Sequence, residues 1–408
     1  MKKTLAAVAV LGAFAGSALA ADVTLYGKID TGLMYSNTKV DQIIDGQGNT
    51  DSVSDDGFQM KSGINSGSRF GIKGSEQISD GLTVGFQLEN GFESDDGSMK
   101  YGKEDNDRIF GREARLYVQT EFGTLHFGRM GGLDSGSGSV DIFGGAAGVF
   151  GTGWADIGSD SAIFLGMSSR MDNVITYQSP KFAGVTVYAQ ASLKNDADNE
   201  GDEGSSDTDR YYALGATGQW GALSSAVVFS TTDYSRSWIN EKDKEGNRLD
   251  KEQGREDMSK VLSAYVAYDF GVVKTTLGAQ YFDDAKGGMS WEVADGLKDP
   301  NNYATDLANY SKKGYGVMLG ATAPIGAGTL YASIGYNDFE ATEVFYEDKP
   351  EFNTIQFGLG YTYPLSKRTY VYTAAGYTKL SGEYKSEYAD FEGDNETTEV
   401  VAGIVHSF

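Results

Sequence analysis

Two histidines and no cysteine bound the chemistry open to this chain. His126 stands in TLHFG, and His406 lies two residues from the C-terminus. A serine hydrolase needs an imidazole beside an activated hydroxyl, and a zinc peptidase needs two histidines on one helix face. Neither histidine sits in a G-x-S-x-G or H-E-x-x-H setting, so His126 is read as part of a strand wall and His406 as outward-facing. Thiolate chemistry, disulfides and cysteine zinc sites are excluded outright. The reading therefore holds no catalytic residue, no metal and no cofactor. A barrel-borne lipase working through His126 is the enzymatic alternative. What the chain has in abundance is fixed charge, with 58 acids against 34 bases and a net charge of −24. Such a surface repels phosphate backbones and excludes nucleic acid as a partner.

Charges do work only where a scaffold holds them. The N-terminal MKKTLAAVAVLGAFAGSALA joins Lys2 and Lys3 to an apolar stretch from Leu5 to Phe14 and an Ala18-Leu19-Ala20 cleavage site. That order predicts a signal peptide over residues 1–20 and an exported single domain over 21–408. With those two lysines gone, the net charge becomes about −26. Beyond the signal no apolar run is long enough for a transmembrane helix, and the mean hydropathy of −0.36 is that of a water-soluble chain. A transmembrane barrel reconciles these facts, because only alternate residues of each strand face lipid.

Period-two alternation runs through many segments. Val185, Val187, Ala189, Ala191 and Leu193 interleave with Thr186, Tyr188, Gln190, Ser192 and Lys194. Leu82, Val84, Phe86 and Leu88 alternate with Thr83, Gln87 and Glu89. The same holds for Ile355 to Tyr361 and for Leu330 to Tyr336. Seven short connections fall at 79–81, 121–124, 180–184, 219–222, 269–272, 324–328 and 364–368. Eight longer, mostly acidic ones fall near 38–62, 94–106, 132–168, 196–208, 234–257, 284–312, 341–352 and 381–396. Together they join sixteen antiparallel strands, with short turns at one end of a barrel and long loops at the other. Pro180, Pro324 and Pro364 fall in the expected turns, and Pro300 and Pro350 in loops, where no ladder bond is lost. A β-sandwich is the water-soluble alternative.

From Val23 onward the sequence resembles the general porins of Gram-negative bacteria. The resemblance is carried by VTLYGKID (23–30), SGSRFGIKGSEQI (66–78), LTVGFQLENGF (82–92), FGREARLYVQTEFGTLHFGR (110–129), VITYQSPKFAGVTVYAQ (174–190) and the terminal Phe408. It implies a homotrimeric outer-membrane channel whose third loop folds into the lumen. Here that loop is 132–167, glycine-rich and bearing Asp134, Asp141, Asp156 and Asp160. DIFGG (141–145) resembles the family's acidic-aromatic-glycine element, making Asp141 the leading acidic candidate and Asp134 the second. The resemblance also implies a basic ladder on the opposite wall, matched by Lys28, Arg69, Arg112 or Arg115, and Arg170. Strand parity independently turns Lys28, Arg69 and Arg115 away from lipid and favours Arg115, whereas the family's element favours Arg112. Val400, Ala402, Ile404, His406 and Phe408 share one face, and the resemblance makes Phe408 the signal read by the barrel-assembly machinery.

These readings predict passive diffusion of small hydrophilic solutes and ions, with a cation preference drawn from the acid excess, notably in DADNEGDEGSSDTD (196–209). Lipid and lipopolysaccharide are the expected surroundings. An adhesin merely anchored by its barrel is one alternative. A sugar-selective channel, lined by Tyr26, Tyr117 and Tyr188, is another.

Overall fold

The computed structural model describes residues 22–43, 50–101, 108–151, 153–196, 201–235, 238–242, 248–252, 257–286, 311–342, 349–385 and 390–408. The signal-peptide reading and Pro300 lie outside these residues. Sixteen strands form the wall. They are β1 Asp22–Ile43, β2 in two segments, Thr50–Ser62 and Arg69–Ser79, β3 Leu82–Phe92, β4 Glu113–Thr120 and β5 Gly123–Gly131. There follow β6 Arg170–Gln178, β7 Val185–Ser192, β8 Arg210–Trp220, β9 Leu223–Asp233, β10 Lys260–Asp269 and β11 Lys274–Ala285. The set ends with β12 Lys312–Ile325, β13 Gly328–Ala341, β14 Glu351–Pro364, β15 Thr369–Lys385 and β16 Asp390–Ser407. Each strand pairs antiparallel with its chain neighbour, and β1 pairs with β16 from Lys28↔Ser407 to Ile43↔Glu392. That last ladder closes the barrel and leaves no open edge.

The alternation read from the sequence sorts onto two faces. Leu25, Ile29, Leu116, Leu125, Ile175, Leu214, Leu262, Leu277, Leu319, Ile334, Phe357 and Ile404 point outward and are exposed. At the turn end Phe122, Phe182, Trp220, Phe270 and Tyr363 are exposed as well, forming an aromatic girdle of the kind that sits at a membrane interface. The closing residue follows the same outward parity. Phe408 exchanges backbone hydrogen bonds with Gly27 at 3.0 and 3.1 Å, and a Cβ at Gly27 would stand 2.2 Å from the Phe408 ring. Glycine at that position lets the terminal aromatic lie flat on β1.

Two expected boundaries move. Residues 38–43 pair with 50–55, and 56–62 continue the ladder against 31–37, in β1 and β2, and 381–385 pair with 390–394 in β15 and β16. Both were read as loops because strands that rise past the membrane need no apolar residues, so the alternation fades while the ladder continues. Pro324 and Pro364 occupy the turn-side ends of β12 and β14 rather than the turns themselves. The stretch expected as loop 234–257 contains a separate hairpin, Trp238–Lys242 with Arg248–Glu252.

The segment between β5 and β6, residues 132–169, holds one short helix, α1 Gly144–Ala147, and a 3-10 turn at Asp160–Ala162. Its side chains Leu133, Ile142, Phe143, Phe164 and Trp154 are buried. They pack on residues of the face opposite the exposed apolar band, among them Tyr211, Val228 and Met318 in one cluster and Tyr372, Ala374 and Val405 in another. Glycines on that face give the segment room: a Cβ at Gly316 would lie 2.2 Å from the Ile163 carbonyl oxygen, and one at Gly376 2.9 Å from Ile157.

Candidate functional site

The registers of β1 to β5 set charged residues on the inner parity of adjacent strands. Lys28 pairs with Arg69, Arg69 with Gly91 and Gly71 with Glu89, Gln87 with Arg115 and Glu89 with Glu113, and Tyr117 with His126. Two groups result.

The first surrounds Glu89. Its Oε1 accepts from Arg112 Nε at 2.6 Å and stands 3.8 Å from Arg69 Nη1, while Oε2 accepts from the Tyr26 hydroxyl at 2.9 Å. Ser66 Oγ receives Arg69 Nη2 at 2.6 Å and Lys28 Nζ at 3.3 Å. On the other side the Tyr101 hydroxyl accepts from Arg112 Nη1 at 3.3 Å and from Arg170 Nη1 at 3.1 Å. The Arg170 guanidinium also lies over the Tyr101 ring, 4.9 Å from its centroid, a cation–π contact. Tyr101 holds this place with φ of 72°, a left-handed conformation that costs a non-glycine residue roughly 1–2 kcal/mol. Lys28, Arg69, Arg112 and Arg170 are thus linked through Ser66, Glu89 and Tyr101.

Arg115 heads the second group. Its Nη2 donates to Gln87 Oε1 at 3.0 Å, and its Nε lies 2.9 Å from Glu113 Oε1 without hydrogen-bond alignment. Nη1 lies 2.8 Å from His126 Nδ1. Because a guanidinium only donates, Nδ1 must accept, which assigns the ring proton to Nε2. Glu113 Oε2 accepts from Ser139 Oγ of the 132–169 segment at 2.9 Å. Both Arg112 and Arg115 are therefore on the inner wall, in different groups. Strand parity did not govern Arg112, which precedes the first ladder residue of β4.

The loop acids have distinct settings. Asp134 is fully buried; Oδ1 accepts from the Tyr211 hydroxyl at 3.1 Å and from Ser168 Oγ, and Oδ2 accepts from Ser230 Oγ at 2.6 Å. It ties both necks of the segment to β8 and β9. Asp141 accepts four backbone amides, those of Gly136, Phe143, Gly144 and Gly145, at 2.8 to 3.3 Å. Burial nevertheless holds its pKa above the ordinary carboxylate value, the amides opposing that rise. Asp160 is fully enclosed, and burial pushes its pKa well up, with the charge of Asp141 adding to the rise. Asp156 is exposed; its amide donates to Glu399 at 3.1 Å and its carbonyl accepts from Gln356 at 3.0 Å. The sequence reading missed Glu89, Glu113, Ser66 and Tyr101. Parity with Gln87 and Arg115 was the available signal for the two glutamates.

The chain matches the family model described as Gram-negative porin over residues 6–383. An outer membrane porin protein of Bordetella pertussis is 34% identical over 428 residues, covering all of both chains. Among solved structures, an anion-selective porin from Comamonas acidovorans superposes with a TM-score of 0.57 at 21% identity, over 95% of this chain and 100% of that one. The trimer form of OmpT, an outer membrane protein of Vibrio cholerae, superposes with a TM-score of 0.53 at 15% identity, over 94% and 99%. The closed sixteen-stranded wall, its outward apolar band and the full-length match lead to one assignment: this chain belongs to the Gram-negative porin family and is a porin of the outer membrane.

Proposed function

We propose that the barrel is a water-filled channel for passive diffusion of small hydrophilic solutes and ions, in which residues 132–169 form an inward-folded constriction loop facing Lys28, Arg69, Arg112, Arg115 and Arg170. One observation carries this reading. The segment bonds to inner-parity side chains around the circumference, namely Tyr211 and Ser230 through Asp134, Gln280, Asn337 and Gln356, while Ser139 reaches Glu113 on the far side. A segment touching so many strands of a closed wall crosses its interior. Fixed charges along such a path orient polar solutes without any bond being made or broken.

The same geometry favours anions, against the preference for cations drawn from net charge. The wall groups hold five cations against Asp30, Glu89 and Glu113. Asp30 is buried and accepts the amides of Asn65 and Ser66 and the Tyr372 hydroxyl. Of the loop acids, Asp134 and Asp160 are buried and Asp141 is wrapped in amides. Screening removes distant external acids from the balance, since the Debye length at physiological salt is about 8 Å. The Comamonas structure carries the description anion-selective, in the same sense. Homotrimeric assembly is part of the proposal, supported by the OmpT trimer form, as is the reading of Phe408 as an assembly signal. Purified protein in planar bilayers is expected to give stable, stepwise conductance. Its absence would favour a barrel that only anchors surface loops.

A further inference from the structure

Below the second charged group, toward the turn end, the inner wall opens into a recess of about 590 Å³. Its lining includes Lys73, Arg115, Gln119, Thr124, His126 and Gln178, and no aspartate or glutamate. In a chain with 58 acids, a polar recess lined by two permanent cations and no carboxylate is a departure from the average surface. Gln119 and Thr124 flank the turn between β4 and β5, and Gln178 ends β6, so the recess is reached from the turn side.

Three of its groups are poised for an acceptor. Lys73 is exposed, rests over the Tyr26 ring at 5.2 Å and forms no ion pair among the described residues. His126 is 5% exposed, and its Nε2, which carries the ring proton once Nδ1 accepts from Arg115, faces the Gln178 side chain but has no aligned hydrogen-bond acceptor among the described residues. A buried N–H without an aligned acceptor is unfavourable, a penalty that a bound oxygen relieves. Arg115 Nε likewise lacks an aligned acceptor. Glu113 offsets part of the Arg115 charge from behind, which leaves Lys73 as the source of the surplus.

We propose that this recess is a binding station for small oxyanions, of phosphate or dicarboxylate chemistry, on the turn side of the constriction. Lys73 and Arg115 supply charge, His126 Nε2–H supplies a directed donor, and Thr124, Gln119 and Gln178 complete the polar shell. A channel with such a station holds its anions at one mouth before releasing them, whichever direction they travel. The consequence for transport rests on the channel reading above, but binding itself does not.

The test is calorimetry on detergent-purified full-length protein at low ionic strength, with inorganic phosphate and succinate titrated separately. Saturable binding of at least one of them is expected, and Lys73→Gln should weaken it about tenfold, the scale of one charge-assisted hydrogen bond. Lys313→Gln, at the loop end of β12 where Lys313 pairs with Asp283, should leave it unchanged. Phosphate-only or succinate-only binding, if weakened by Lys73→Gln, supports the station and identifies its chemistry. Binding of neither ion, or equal affinity in wild type and Lys73→Gln, would overturn it. Because conduction is not measured, failure here leaves the channel reading intact.

Discussion

Along β1 to β5 the inner wall carries Tyr26, Lys28, Arg69, Gln87, Glu89, Glu113, Arg115 and His126. Along β8 to β16 the same parity carries apolar Val228, Phe282, Met318, Phe339 and Val405 among uncharged polar Tyr211, Ser230, Gln280, Asn337, Gln356 and Tyr372, all buried, and much of that surface is covered by the 132–169 segment. One polypeptide face thus plays two parts around a single circumference. On the proposed function, the half that holds the loop sets how wide the path is, and the charged half sets what passes. Glycines make room in both: Gly316 and Gly376 for the loop, and Gly67 and Gly91 for the Arg112 side chain, which would lie 3.0 Å from a Cβ at either.

Substitutions should separate the two halves. The largest effect is expected from Phe143→Ala, which removes a fully buried ring packed 5.1 Å from Phe164. Truncating such a ring costs about 3–5 kcal/mol, here drawn from loop docking. Unit conductance should rise with little change of ion preference, and a conductance equal to wild type would break the assignment of the loop-bearing half. Arg112→Ala tests the other half. It strips the nearly buried Glu89 of its 2.6 Å partner, a loss of roughly 3–5 kcal/mol for a buried pair and less to the extent that water enters the lumen. Ion preference should move toward cations and thermal stability should fall; an unchanged preference would detach Arg112 from the path.

The smallest expected effect is a pH dependence of loop docking. Burial raises the pKa of both Asp141 and Asp160 in the docked loop. Between the ordinary carboxylate value and the raised one, the docked loop binds more protons than a released loop. Docking stability is therefore full below the ordinary value and declines as pH rises through the raised one. Current noise from loop motion should fall on acidification and lose part of this dependence in Asp160→Asn. Noise that grows on acidification in the wild type would contradict the linkage.

Much of this was legible before any coordinates. Turn spacing and Gly, Pro and Asp content gave sixteen strands, and counting back from Phe408 gave the outward face of β16, because both depend on local pattern. The charged wall was half legible: parity turned Lys28, Arg69 and Arg115 inward, but the inner glutamates were passed over, although Glu89 and Glu113 carry the same parity. Loop docking was not legible from period. Leu133, Phe143, Trp154 and Phe164 follow no repeat, and their partners on β8 to β16 are distant in sequence. The pairing of Asp134 with Tyr211 and Ser230 is likewise a tertiary fact. On ion preference, net charge and the proposed geometry point opposite ways, because net charge counts every acid equally, whether external, buried or paired.

The most direct test of the division into a charged and a loop-bearing half is the reversal potential across a KCl gradient, read for wild type and for the Lys28→Gln, Arg69→Gln double variant. An anion-selective sign in the wild type, shifted toward cations in the variant, is the predicted result. A cation-selective wild type, or a double variant with the wild-type potential, would contradict it.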